Sequence, residues 1–230
     1  MRVLRIQSTA TALLTALATA ACGGAARTGP QAAPQPADAA TAELEAIYRA
    51  RTDSALMRFT EADVRFMTGM IAHHGQALVM AGLAPTHGAS PPLQTLTARI
   101  INGQQDEIAT MQRWLRDRGQ PVPEIDIEGT TLLLHGVGNH AMHMPGMLAP
   151  DQMQDLDQAS GPDFDRRFLT YMIQHHRGAV TMVHDLFSTD GAAQDGAVFK
   201  LASDIQVDQT TEIARMELML NALPDGGSDP

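Results

Sequence analysis

Along residues 63–81, Met67, Met70, Ile71, His74, Leu78 and Ala81 recur three and four positions apart. That spacing puts them on one stripe of an α-helix. A second stripe, Leu93, Ile100, Gln104, Glu107, Ile108, Met111 and Leu115, predicts another helix. Its start is marked by Ser90 followed by proline, and its stop by Gly119 with Pro121. Thr60 with Asp63 has capping-box spacing for the first helix, and Ser160 with Asp163 repeats that spacing later in the chain. Residues 42–58 predict a leading helix, and 151–159 a short one. No alternating pattern of useful length predicts a strand.

The stripes occur twice. DVRFMTGMIAHHGQALVMA at 63–81 matches DRRFLTYMIQHHRGAVTMV at 165–183, with ten of nineteen positions identical. ARIINGQQDEIATMQRWL at 98–115 matches SDIQVDQTTEIARMELML at 203–220, with seven of eighteen identical. Each half is one helix carrying His-His and a second carrying Q-x-x-E-I-x-x-x-M. Two such hairpins, each with one apolar face, bury those faces by pairing into an all-α four-helix bundle. The folded domain is placed at 42–222, with repeat one at 60–118, a connector at 119–159 and repeat two at 160–222. Residues 223–230 read as a disordered tail.

The N-terminus changes the setting. Arg2 and Arg5 precede a short apolar stretch that ends in Ala20-Ala21-Cys22. This is the pattern of a secretory signal over 1–21, too short to span a bilayer. Cys22, the sole cysteine, stands where a bacterial lipoprotein is cleaved and lipidated, although Thr19 occupies a position where leucine is usual. The Gly/Ala/Pro/Gln-rich residues 22–41 read as a disordered tether from a membrane anchor. The expected location is the periplasm or outer surface. Taking two arginines from a formal charge of −10 leaves −12 after cleavage. An acidic chain without a Lys/Arg cluster argues against nucleic acid as a partner.

The histidines carry the candidate chemistry. His74 and His176 point with the apolar stripe, and His73 and His175 lie about 100° round the helix, nearer the boundary. Adjacent helical side chains diverge, so one histidine of each pair is the expected inward ligand. The competing reading is a buried histidine satisfied by hydrogen bonds. Glu107 and Glu212 sit on or beside the stripes of the partner helices. A carboxylate facing a core needs either a charged histidine or a metal. Di-iron bundles place Glu on all four helices. Here Gln104 and Gln209 precede the glutamates by three residues, giving a nitrogen-rich ligand set that argues against a standard di-iron oxidase and towards copper, zinc or nickel. Copper is the expected cofactor, with zinc and iron as alternatives. Met70, Met172, Met111 and Met216 are either soft ligands or core. In the connector, His140, Met142, His143, Met144 and Met147 fall within H-A-M-H-M-P-G-M. They form a second candidate site suited to copper, or a connector whose methionines dock on the bundle. No phosphate loop, nucleophile elbow or H-E-x-x-H occurs.

The runs FMTGMIAHHGQALVMA, MPGMLAPDQMQDLDQASGPDFDRRFLTYMIQHHRGAVTMV and DQTTEIARMELML resemble the bacterial family known as domain of unknown function 305, over about residues 60–222. The resemblance implies a ferritin-like fold, export, frequent lipid anchoring and, for some members, copper binding and tolerance. It marks His73, His74, His175, His176, Met144 and Met147 as signature positions. The expectation is an envelope protein that sequesters or relays copper, exchanges it with a metal-handling partner and catalyses nothing. The alternatives are a ferritin-like metal oxidase and a structural module whose His–Glu pairs hold the core together.

Overall fold

The computed structural model describes residues 36–136 and 144–224. The leader, Cys22, most of the tether, the tail from 225, and His140, Met142 and His143 lie outside the described residues. The chain divides into two compact units at Glu45–Ala46, and the bundle lies in the second. Helix α1 (Pro36–Leu56) starts inside the stretch assigned to the tether. The reason is local: Ala-rich ADAATAELEA has high helix propensity. No helix among the described residues is long and apolar enough to cross a membrane.

The bundle is formed by α2 (Glu61–Gly82), α3 (Pro91–Asp117), α5 (Pro162–Phe187) and α6 (Gly196–Ala222), with α4 (Pro150–Gln158) packed on α5. α2 pairs with α3, α5 pairs with α6, and α2 meets α5. The Thr60/Asp63 capping box forms as expected. The Ser160/Asp163 box does not: α5 starts after Gly161, whose φ of 57° turns the chain and whose N–H donates to His87 O at 2.8 Å. The loop between α2 and α3 thus sets this helix start.

Buried aspartates at equivalent repeat positions lock the hairpins together. Asp63 accepts from Ala193 N at 2.7 Å, in the loop between α5 and α6. Asp165 accepts from Ser90 N at 3.1 Å, in the loop between α2 and α3. Each hairpin therefore holds the turn of the other. Asp195 caps α6 through Ala197 N and Val198 N and ties it to Trp114 of α3 and to Arg118 at the end of that helix.

The connector contains two strands that the sequence reading lacks. β1 (Glu124–Glu128) pairs antiparallel with β2 (Thr131–His135). Gly129, at φ 61°, takes the first turn position of a two-residue hairpin. The alternation is confined to Ile125 and Ile127 facing a continuous Leu132–Leu134 run, too short to register as a pattern. This hairpin packs on α2.

Two apolar clusters make the core. One contains Ala77, Val79, Met80 and Ala81 of α2, Ala84 just after it, Leu93, Leu96 and Ile100 of α3, Phe164, Phe168, Leu169, Met172 and Ile173 of α5, and Met216 of α6. The other contains Phe66–Ile71, Ile108–Leu115, Ala179–Leu186 and Val198–Ile205. On every bundle helix a polar residue separates them.

Candidate metal centre

The separating layer consists of His73 and His74 on α2, Gln104 on α3, His175 and His176 on α5, and Gln209 on α6. All four histidines have 0 % exposure. Helix geometry placed His73 and His175 nearer the boundary, and the structure corrects this. Their rings lie against each other, 3.8 Å between centres and tilted by 36°, where α2 meets α5, and Pro145 of the connector reaches His73 there.

Each imidazole is held differently. His74 Nε2 and Glu107 Oε2 are 2.6 Å apart, and His176 Nε2 and Glu212 Oε2 are 2.7 Å apart. A carboxylate only accepts, so both rings carry their proton on Nε2. His73 Nε2 lies 3.0 Å from the Pro145 carbonyl, to which it donates. Among the described residues, the Nδ1 atoms of all four histidines find no hydrogen-bond partner, nor does His175 Nε2. The same is true of both amide atoms of Gln104 and of Gln209 Oε1. Buried polar atoms without partners cost about 1–3 kcal/mol each, so the layer favours whatever satisfies them. Burial, then the neighbouring His74, pushes the His73 pKa from 6.5 down to about 3. Burial and His73 likewise hold His175 well below its ordinary value. Neutral imidazole is the form that ligates metal.

The glutamates face outward as well as inward. Glu107 lines a groove of about 620 Å³ between α3 and α6 with Asp106, Asp204 and Asp208, where Lys200 pairs with Asp204. Burial, then Glu107 and Glu212, raises the Asp208 carboxyl above its ordinary range. The groove therefore carries a negative potential beside the His–Glu pairs.

On the opposite side the connector forms a strap. Pro145-Gly146 makes a turn, with Gly146 at φ 78° and Met147 N donating to Met144 O at 3.2 Å. Gly178 of α5 lets it dock, since a Cβ there would stand 1.9 Å from Pro145 O. Gln76 of α2 clamps the next residue, accepting from Leu148 N at 2.7 Å and donating to Leu148 O at 3.0 Å.

Met144 and Met147 lie on this strap and line one cavity of about 550 Å³ with Met153. Met70 and Met111 belong to one apolar cluster, Met172 and Met216 to the other, so these four flank the layer as core. No three His, Cys, Asp or Glu side chains among the described residues stand in position to hold one ion. The adjacent histidines hold their ring centres 6.3 and 6.2 Å apart. The strap contacts of Gln76, Gly178 and Gly69 and the loop contacts of Asp63 and Asp165 leave no mark in the helical periodicity. All sit in the repeated runs, where Gln76/Gly178 is a visible departure between copies.

The family model "Domain of unknown function (DUF305)" matches residues 63–220. A DUF305 fragment from Deinococcus radiodurans is 30 % identical, with a TM-score of 0.59 over 72 % of this chain and 99 % of that one. CopM in its Cu(I)-bound form is 28 % identical, with a TM-score of 0.51 over 69 % of this chain and 95 % of that one. CopM in its Ag-bound form is also 28 % identical, with a TM-score of 0.52 and the same coverage. No curated protein matches the sequence. With a family match across most of the chain and a helical, ferritin-like bundle in common with these structures, this chain belongs to the DUF305 family.

Proposed function

We propose that the protein binds copper as cargo in the cell envelope and sequesters or relays it. The observation that carries this reading is the layer of four fully buried imidazoles whose Nδ1 atoms have no partner among the described residues. Imidazole suits copper in either oxidation state, and a pair of imidazoles suits an ion that accepts few ligands. Two N–metal bonds of about 2 Å each and two ring radii fit ring centres 6.3 and 6.2 Å apart. Each His-His pair is then a two-nitrogen site, in place of the single inward ligand per pair expected from helix geometry alone. Glu107 and Glu212 orient His74 and His176 through Nε2 and ligate nothing themselves. The likeness to CopM in its Cu(I)-bound and Ag-bound forms supports the choice of metal. The leader and Cys22 support export and a lipid anchor. The residues 140–147 form a second, exchangeable copper site.

Cu(I) titration of the mature protein against a competing chelator tests this. Tight binding that is lost in the His73/His74/His175/His176 quadruple Ala variant is expected. Equal affinity in both would leave the imidazoles as structural polar groups and end the copper reading.

A further inference from the structure

We propose that the Met144 and Met182 thioethers form a landing site for a soft monovalent cation, at a cavity beside the strap, from which the ion passes to His73. This rests on the copper reading above. The cavity measures about 270 Å³ and is lined by Phe66, Met144, Pro145 and Met182 among others. Two methionines meet over one bare turn of α2. Met144 Sδ lies 3.0 Å, and Met182 Cε 3.4 Å, from the point where a Cβ on Gly69 would stand. Gly69 precedes His73 by one helical turn, and helical side chains lean toward the N-terminus, so the His73 ring leans toward that turn. Pro145, the residue after Met144, accepts the His73 Nε2–H at 3.0 Å. One strap dipeptide thus contacts both the methionine pair and a fully buried imidazole whose Nδ1 has no partner among the described residues.

The chemistry selects the ligand class. Thioethers are soft and uncharged, which suits Cu(I) or Ag(I) over a hard divalent ion. The three rotatable bonds of methionine let the Met182 sulfur turn into the cavity. The arrangement is also single. Gly69 corresponds to Tyr171 in the second repeat, and Met182 corresponds to Met80, which is fully buried in the apolar core. Duplication alone would give two copies, whereas the strap creates one.

Ag(I) is the probe, added to full-length mature protein labelled with 13C at the methionine methyls. In wild type, the Met144 and Met182 methyl signals shift at the first sub-stoichiometric additions. In a Met144→Leu/Met182→Leu variant of unchanged melting temperature, stopped-flow transfer of Ag(I) from a chelator slows at least tenfold. Methyl signals that stay fixed until the protein is saturated, or a double variant that loads at the wild-type rate, would overturn the proposal. The quadruple His→Ala variant separates the two readings. Methyl shifts that persist there while chelator competition shows no tight binding in wild type keep the landing site and end the histidine reading.

Discussion

The two hairpins share their buried chemistry and differ where the connector touches them. Both present His-His, a Gln in the polar layer, a His–Glu pair at 2.6 or 2.7 Å and an aspartate that holds the opposite loop. The first hairpin has Gly69, Gly75 and Gln76 where the second has Tyr171, Arg177 and Gly178. Each departure has a partner in the connector. Gly69 admits Met144, and Gly75 admits Leu132 and Ile125 of the β-hairpin. Tyr171 donates to Asp155 of α4 at 2.8 Å, and Gly178 and Gln76 take the strap from opposite sides. As a result His73 donates to the Pro145 carbonyl of the strap, whereas His175 makes no such bond among the described residues. Duplication made a symmetric layer, and the inserted connector made its two histidine pairs inequivalent.

The most severe way to break this arrangement is Gly178→Val. Its Cβ would overlap the Pro145 carbonyl, so the strap must lift or the helices part. Overpacking and the lost strap hydrogen bonds together predict a loss of about 3 kcal/mol or more. Urea denaturation measures this, and hydrogen exchange at Leu148 N should show the clamp released. Wild-type protection at Leu148 would mean the strap is not held by this approach. Next in size are the symmetric ties. Asp63→Ala and Asp165→Ala each remove a buried charged acceptor, with an expected cost of about 2 kcal/mol. Asp63→Ala should cost more, because it also removes the capping box at Thr60. A ranking in the other direction would contradict the reciprocal role.

Acid separates the layer from its surroundings. The His73 pKa is about 3 in the fold against 6.5 in the unfolded chain. Between those values the unfolded chain binds more protons, so stability rises with pH. The contribution is complete above about 6.5 and is lost as pH falls toward 3. His175 acts in the same direction. Asp208, whose pKa is raised, acts in the opposite direction just above its ordinary value. In metal-free protein, His73→Gln should flatten the slope of stability against pH between 4 and 6 by up to about 1.4 kcal/mol per pH unit. An unchanged slope would show that His73 is not held neutral by burial.

The repeat made the bundle, its four long helices and the histidine positions legible, because a 3.6-residue stripe and a doubled motif are strong local signals. The burial of His73 and His175 was not legible. It depends on a connector that returns across α2 and α5, and helix periodicity contains no information about what covers a boundary position. The β-hairpin was hidden by its brevity, and the start of α5 by a loop contact to His87 that is distant in sequence. The glycines carried a signal that went unread. Positions where one copy has glycine and the other a large side chain mark where an added segment comes close.

The smallest predicted effect tests whether the shared half of the comparison is truly shared. Glu107→Gln and Glu212→Gln keep the shape and an oxygen acceptor for His74 and His176 and remove the charge. Orienting carboxylates of this kind typically change metal affinity by 10–100-fold. Both carboxylates are partly exposed, at 16 % and 24 % of the side chain, so the low end, about tenfold, is expected for each. The measurement is Cu(I) competition on the two single variants beside His73→Ala and His175→Ala. The glutamate variants should match each other, while the histidine variants differ, because among the described residues His73 donates to the strap and His175 does not. If the glutamates differ and the histidines match, the inequivalence lies in the acidic groove, where Glu107 meets Asp106 and Asp208, and the strap is only a cover.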